Sequence, residues 1–484
     1  MKRLTIIILA LVACTAARAK LTLPHYLSSD MVLQQQSDVE IWGTTDSGRP
    51  VKVKTSWDRK TYTAKPDAEG EWSVKVATPE AGGPYEISIS DGSTLTLSNI
   101  LIGEVWFCAG QSNMEMPVQG FDRQPVKGCT DVIARAKEST PIRMFLADRT
   151  PDGSDWLRQQ SRVPESDCQG RWATNTPDNV AITSAAAYFF AKYVQEVLDV
   201  PVGVIVATLG GSRIEPWMSR EAIGPFGKDL SFLEDAGHRL DPWNEPTELY
   251  NAKVHPFQRF AIKGMLWYQG ESNRDNAAEY EKLMPAMIAD YRAGWGVGDF
   301  PVYFVEIAPF VYEGGDGFSA ARFREAQCRN WKDIPGSGMV STVDIGNHNM
   351  IHPVDKQTLG MRLAWFALGQ TYGRTGFGYA SPVYRSMEIV PGKIYIEMDN
   401  VQDGPCPMWT SLKGFEIAGE DRVFHPAFAE VEESTCRLAV SSPEVPEPVA
   451  VRYAYHNVPE YSVYNVYGLP LVPFRTDDWP LEKR

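Results

Sequence analysis

Alternating apolar and polar positions near both ends of the chain indicate β structure. The segments 51–55 (Val-Lys-Val-Lys-Thr) and 72–76 (Trp-Ser-Val-Lys-Val) alternate along their whole length, and Gly, Pro and Asp clusters separate such runs. Segment 394–398 repeats the pattern near the C-terminus. Short strands at this spacing are typical of β-sandwiches. We therefore predict β-sandwich-type domains over residues 20–100 and 376–484.

The middle of the chain has a different pattern, in which short apolar runs alternate with segments of helical period. Runs that are apolar on both faces are typical of parallel strands covered by helices on both sides. The pattern predicts an α/β domain with a parallel, doubly wound sheet over residues 101–375. The predicted strands are 104–108, 202–207, 263–268, 302–307 and 339–343, and the predicted helices are 184–200, 280–295 and 353–370. Residues 120–180 do not fit this alternation, and we expect a long excursion there.

The first 19 residues have the pattern of a secretory signal peptide. Lys2 and Arg3 precede an apolar run too short to span a membrane, and a small-x-small motif ends at Ala19. Cleavage there predicts a secreted or periplasmic protein. The alternative is acylation of Cys14, which ends a lipobox-like motif and would make the protein a lipoprotein. No later apolar run is long enough to predict a transmembrane segment.

Composition and charge narrow the classes of function. The formal net charge is −14 and Lys and Arg are not clustered, which argues against nucleic acid as a partner. No CxxC motif occurs, and Cys108 lies in an apolar run that predicts a buried free thiol. His348 and His352 are four residues apart, but Pro353 disfavours helix at the residue before it, so the pair would not share one helix face. We predict no metal and no cofactor.

Candidate chemistry lies where the predicted strands end. Ser112, the glycine pair that begins at Gly210, Gln269 with Glu271, and His352 each follow a different strand. The carboxyl ends of parallel strands meet at one edge of a sheet, where such folds bind ligands. A serine hydroxyl there is a candidate nucleophile, and His352 is its candidate base. Glu271 fits equally a catalytic carboxylate and a structural acceptor, and both interpretations stay open.

The same blocks resemble the signature sequences of sialate O-acetylesterases, which belong to the SGNH (GDSL-like) hydrolases and are close to acetylxylan esterases. The blocks are 110–114 (Gly-Gln-Ser-Asn-Met), 210–217, 263–273 and 351–356 (Ile-His-Pro-Val-Asp-Lys). Segments of both flanking β regions, such as 29–34 and 412–418, are similar to the accessory domains of that family. The resemblance therefore implies a flavodoxin-like SGNH sheet in residues 101–375, flanked by the two β domains.

The resemblance also implies roles for individual residues. Ser112 would be the nucleophile, and His352 the base that takes its proton. The N–H groups of Ser112 and Gly210 and the side chain of Gln269 would form the oxyanion hole. The residues that would lie near the sugar are Arg213, Glu215 and Trp217.

The chain departs from the family pattern at Met350. The family commonly has Asp two residues before the histidine, and a thioether cannot be an anionic partner for imidazole. Asp344, Glu271 or a backbone carbonyl would then have to orient His352.

The resemblance predicts a serine esterase that removes O-acetyl groups from sialic acid on glycans, with 9-O-acetyl sialic acid as the first candidate substrate. One alternative is an esterase for acetylxylan or another acetylated carbohydrate. A second alternative, suggested by Met350, is an inactive homologue that binds carbohydrate.

Overall fold

The structure is a computed structural model that describes residues 21–147, 159–235, 237–402, 404–407 and 410–481. The predicted signal peptide, the alternative acylation site Cys14 and residues 148–158 of the predicted excursion lie outside the described residues. None of the helices in the described part of the chain is both long and apolar enough to cross a membrane.

The N-terminal region consists of short strands, as the alternating pattern predicts. They are β1 (Leu21–Thr22), β2 (Val32–Gln34), β3 (Asp38–Thr45), β4 (Val51–Thr55), β5 (Thr61–Ala64), β6 (Glu71–Ala77) and β7 (Gly82–Ser90). β3 pairs antiparallel with β1 and β6, and β4 pairs antiparallel with β5 and β7. Along β6, Trp72, Val74 and Val76 are buried while their neighbours are exposed, so the predicted strand and its buried face are confirmed.

The central region alternates strands and helices, which confirms the α/β class. Its elements are β8 (Thr94–Gly110), α1 (Ser112–Glu115), α2 (Cys129–Ala134), β9 (Ile142–Leu146), β10 (Arg171–Thr174), α3 (Pro177–Ile182), α4 (Ala185–Leu198), β11 (Val202–Thr208), α5 (Arg220–Ile223), β12 (Gly264–Tyr268), α6 (Ala277–Trp295), β13 (Val302–Val305), α7 (Ser319–Asp333), β14 (Ser337–Val340) and α8 (Lys356–Phe366). The helix predicted over 184–200 is confirmed as α4, and its N-cap Ser184 accepts the Ala187 N–H at 3.2 Å.

The strands of the central sheet lie in the order β10-β9-β11-β8-β12-β13-β14. All neighbours pair in parallel except β10, which is antiparallel to β9 at the edge. After β8 the chain adds β11 on one side of it and β12 on the other. The strand order therefore reverses at β8, and the crevice outside its carboxyl end is the place where open α/β sheets bind ligands.

β8 is much longer than the predicted strand 104–108. Its first part pairs antiparallel with β7, and its second part pairs in parallel with β11 and β12. Every residue from Ile100 to Gly110 is buried, because this part lies between neighbours in the central sheet. The predicted domain boundary at residue 100 thus falls inside one continuous strand.

Two further predictions for this region need correction. Residues 120–180 contain β9 and β10, so part of the predicted excursion belongs to the sheet. The charged residue Arg143 interrupts the apolar run of β9, and for this reason the sequence pattern did not predict the strand. In the structure the Arg143 side chain is buried and donates to the Ile142 carbonyl. The last helix begins at Lys356 rather than at residue 353, because the Asp355 side chain caps it by accepting the Thr358 N–H at 3.0 Å.

The C-terminal region forms two four-stranded antiparallel sheets. Its strands are β15 (Val383–Val390), β16 (Lys393–Asp399), β17 (Phe415–Ala418), β18 (Phe424–Pro426), β19 (Phe428–Glu432), β20 (Arg437–Ser441), β21 (Ala450–Tyr453) and β22 (Phe474–Arg475). One sheet has the order β15-β16-β20-β19 and the other β18-β17-β21-β22. Ile396 and Val440 of the first sheet and Ile417 and Val451 of the second belong to one apolar cluster, so the sheets share a core.

Candidate active site

The turn after β8 places Ser112 at the edge of the sheet. Gly110 has φ +146°, and a Cβ atom at this position would lie 2.1 Å from the Tyr268 carbonyl oxygen of the neighbouring strand. Only glycine fits such a close approach of two backbones. Ser112 is the first residue of α1, so its N–H has no acceptor within the helix.

His352 faces Ser112 across the crevice, as predicted from their positions at strand ends. Its Nε2 lies 2.8 Å from Ser112 Oγ, although the two residues are 240 positions apart in the chain. The other ring nitrogen, Nδ1, lies 2.6 Å from Gln124 Oε1. A carbonyl oxygen can only accept, so this contact places the proton on Nδ1 and leaves the Nε2 lone pair to accept the Ser112 hydroxyl.

Gln124 lies in a loop that is held against the histidine segment. The Lys127 N–H donates to the Val354 carbonyl at 2.9 Å, and Lys127 Nζ lies 3.1 Å from an Asp355 oxygen. The Phe121 ring packs edge-on against the His352 ring, with 5.3 Å between centroids. These contacts fix the amide that orients the imidazole.

Neither Asp344 nor Glu271 is brought to the His352 ring. Asp344 makes two hydrogen bonds of 2.7 Å with Arg362 in a largely buried ion pair. Glu271 Oε1 accepts from Asn113 Nδ2 at 2.6 Å. Sequence reasoning missed Gln124 because it lies 228 residues before His352 in a loop without periodicity. In the sequence, the absence of an acid at position 350 was the only indication that another group must accept the hydrogen bond from His352 Nδ1.

A buried polar network lies below the serine and the histidine. Lys356 Nζ is fully buried, lies over the Tyr268 ring, and donates to Asn113 Oδ1 at 2.6 Å. Asn113 Nδ2 donates in turn to Glu271 and, at 3.1 Å, to the Ile351 carbonyl just before the histidine. Asn113 therefore joins the loops that follow β8, β12 and β14.

The electrostatics of the site keep His352 neutral. Burial, together with the nearby Lys356 cation, lowers the pKa of His352 to about 4. Burial also lowers the pKa of Lys356 to about 7, against the opposing effect of Glu271, and it raises the pKa of the Glu271 carboxyl. A neutral imidazole is the form that a general base needs.

Two of the three predicted oxyanion donors, the Gly210 N–H and the Gln269 side chain, have other partners in this structure. The Gly210 N–H donates to the carboxylate of Glu115. Gln269 is buried, and its Nε2 donates to the Ser212 carbonyl at 3.1 Å and to Asn273 Oδ1 at 2.7 Å. Gln269 would have to give up one of these bonds to donate to an oxyanion.

The residues expected near a sugar differ in their exposure. Arg213 keeps 27% of its side chain exposed, and its Nε lies 3.6 Å from Glu215 Oε2. Glu215 is buried and also accepts from Asn273 Nδ2 at 2.9 Å. Trp217 is fully buried and donates to Ser212 Oγ at 3.0 Å, so support of the loop fits it better than contact with a sugar.

Among the residues that the structure describes, no three His, Cys, Asp or Glu side chains are grouped as metal ligands. The Nε2 atom of His348 lies 2.8 Å from the side-chain Nδ2 atom of the next residue, Asn349. Cys108 is buried as predicted, and burial raises the pKa of its thiol.

Replacement of Gln124 tests the orienting role of its amide. His352 acts as a base only above its own pKa, so we expect the acid limb of kcat/KM near pH 4. In Gln124→Glu the added carboxylate stabilises the imidazolium, which should move this limb to higher pH and increase turnover. Gln124→Ala removes the acceptor and should lower kcat about a hundredfold.

The measurement is the pH profile of p-nitrophenyl acetate hydrolysis. Gln119→Glu is the matched control, because it adds the same charge to an exposed position of the same loop. An acid limb that stays in place in Gln124→Glu would contradict the assignment.

Comparisons with known proteins agree with the geometry. The family model described as "carbohydrate esterase, sialic acid-specific acetylesterase" matches residues 102–368. The sialate O-acetylesterase of Mus musculus is 26% identical over 514 residues, which cover 93% of each chain. That of Homo sapiens is 26% identical, over 94% of this chain and 93% of the relative.

A solved structure is also similar to this chain over nearly its whole length. The crystal structure of a carbohydrate acetylesterase from Xanthomonas citri is 33% identical with a TM-score of 0.83, and it covers 95% of this chain and 100% of that one. The chain therefore belongs to the family of carbohydrate esterases described as sialic acid-specific acetylesterases.

Proposed function

We propose that the protein is a serine esterase that removes O-acetyl groups from sialic acid on glycans. The observation that carries the proposal is the 2.8 Å contact between Ser112 Oγ and His352 Nε2, with Nδ1 held by an acceptor. This is the arrangement of a nucleophile and its general base. Membership of a carbohydrate esterase family supports an ester as the substrate.

The reaction follows from the protonation states of the two residues. His352 Nε2 takes the proton as Ser112 Oγ attacks the acetyl carbonyl carbon, and the carbonyl oxygen becomes an oxyanion. The ester bond to the sugar oxygen then breaks, and His352 gives the proton to this oxygen, which leaves as the sugar hydroxyl. Water, deprotonated by His352, attacks the acetyl-Ser112 ester in the same way and releases acetate with free Ser112.

The strand order and the N-terminal residue pattern support two finer parts of the proposal. In the central sheet, the parallel strands β11-β8-β12-β13-β14 have the chain order 2-1-3-4-5 when the parallel strand β9 is left out, and this order supports a flavodoxin-like SGNH sheet. The residue pattern before Ala19 supports export to the periplasm or the medium.

Arg213 favours an anionic sugar over a neutral one. Its side chain is partly exposed two residues after the Gly210–Gly211 pair, and guanidinium groups bind carboxylates well, as the contact with Glu215 illustrates. Sialic acid carries a carboxylate, whereas xylan acetyl groups lie on a neutral backbone. The alternative substrate is another acetylated carbohydrate, which the 33% identity to a carbohydrate acetylesterase from Xanthomonas citri supports in this general form.

Acetate release from two substrates distinguishes these alternatives. We expect faster hydrolysis of 9-O-acetyl sialic acid than of acetylated xylo-oligosaccharides. Arg213→Gln should raise KM for the sialate about tenfold, in line with loss of a charge-assisted hydrogen bond. Arg213→Lys, the matched control, keeps the charge and should lose less. Equal or better hydrolysis of the neutral oligosaccharides, with no effect of Arg213→Gln, would support the neutral substrate instead.

A further inference from the structure

Glu115 has a position that neither the proposed reaction nor the buried network explains. It is three residues after Ser112 in α1, and its side chain is half-buried. The carboxylate accepts the Gly210 N–H. This donor is one of the three groups that the family resemblance assigns to the oxyanion hole.

The carboxylate also lies beside the nucleophile. A Cβ atom built on Gly210 would lie 3.2 Å from Glu115 Oε2 and 3.4 Å from Ser112 Cβ. Glu115, Gly210 and Ser112 therefore surround the same small space. An acyl oxygen that is bound to the Gly210 N–H, while its carbon is attacked by Ser112, has to lie in that space.

The Gly210 loop is held by contacts of its own, which do not involve the Glu115 side chain. Trp243 Nε1 donates to the Gly210 carbonyl at 3.0 Å, and the Leu209 N–H donates to the Gly110 carbonyl at 3.1 Å. A Cβ atom built at Gly211 would be in contact with the Trp243 ring. Glu115 reaches Gly210 through a flexible side chain whose rotation leaves these contacts intact.

We propose that Glu115 occupies the acyl-oxygen site and competes with the ester for the Gly210 N–H. The inference rests on the proposed function, because the acyl oxygen becomes an oxyanion in that reaction and the family resemblance assigns the Gly210 N–H to it. A carboxylate that remained in place would repel the developing oxyanion and would hold one of its donors. An ester must therefore displace Glu115 before Ser112 attacks, and the site favours ligands whose other contacts offset that displacement.

Binding of acetate, the reaction product, tests the proposal without any need for turnover. Its carboxylate requires the same N–H group and meets the same negative charge. We expect Glu115→Ala to bind acetate about tenfold or more tightly than the parent protein in isothermal titration calorimetry. Glu115→Gln removes the charge but keeps the size of the side chain, and it should also bind acetate more tightly.

Turnover of p-nitrophenyl acetate provides the second measurement. This ester has no sugar contacts to offset the displacement, so Glu115→Ala should increase its kcat/KM several-fold. The matched control is Glu430→Ala, which removes an exposed carboxylate from the C-terminal β region and should change neither measurement. Thermal unfolding of each variant checks that the fold is retained.

Acetate affinity decides the outcome. If Glu115→Ala and Glu115→Gln bind acetate no more tightly than the parent, the proposal is overturned, and a fall in turnover would then assign Glu115 a supporting role. If acetate binding tightens while the parent protein hydrolyses no ester, the role of Glu115 stands and the proposed esterase function fails.

Discussion

Ser112→Ala is expected to reduce acetyl ester hydrolysis roughly a million-fold, to the residual rate that binding alone supports. The reason is that the proposed reaction passes through a covalent bond to Ser112 Oγ, which alanine cannot form. His352→Ala should lose about as much, because without a base the hydroxyl remains protonated. Since the two groups act as a unit, the double variant should be little worse than either single variant.

The control for this prediction is Ser386→Ala, an exposed serine of β15. It should hydrolyse p-nitrophenyl acetate and 9-O-acetyl sialic acid at the parental rate. A Ser112→Ala variant that stays within about tenfold of the parent would contradict the assignment. Absence of hydrolysis in the parent as well as in the variant would instead support a homologue that binds carbohydrate without cleaving it.

Asn113→Ala is expected to lower the free energy of unfolding by about 3–5 kcal/mol, which is the typical cost of breaking a buried charged network. The substitution removes the hydrogen bonds to Glu271, Lys356 and the Ile351 carbonyl and leaves their buried polar atoms without this partner. It should also reduce kcat, because the segment before His352 loses its link to the serine turn.

Urea unfolding and steady-state kinetics measure these two effects. Asn349→Ala is the matched control, since it removes an exposed amide from the loop that precedes His352. The double variant Glu271→Gln with Lys356→Met removes both charges together. Its loss of stability should be smaller than the sum of the two single losses, because neither partner is left as an uncompensated buried charge. Additive losses would show that the network does not couple these residues.

The contact between Ser112 and His352 at one edge of the sheet is the part of the site geometry that the sequence predicted. Ser112 and His352 each follow an apolar run, and a parallel sheet brings the ends of such runs to one edge. Gln124 and Glu115 were not predicted, because their roles depend on which atoms their side chains meet. Gln124 reaches His352 from a loop without periodic pattern, and Glu115 reaches Gly210 from the short helix that begins at Ser112.

The same distinction applies to the fold. Alternation and apolar runs predicted the β regions and the central α/β region, since both patterns follow directly from which faces are buried. The exact extents depended on tertiary neighbours. β8 continues across residue 100 because strands on both sides of that point pair with it, and α8 starts at Lys356 because Asp355 caps it.

The most direct test of the central claim is the location of the acetyl group during turnover. The protein is mixed with 9-O-acetyl sialic acid, quenched in acid within a turnover, digested and mapped by mass spectrometry. We predict one acetyl group on the peptide that contains Ser112, and none on that peptide in Ser112→Ala. Acetate release by the parent protein with no acetyl group on Ser112, or with the same acetylated peptide in Ser112→Ala, would contradict the account.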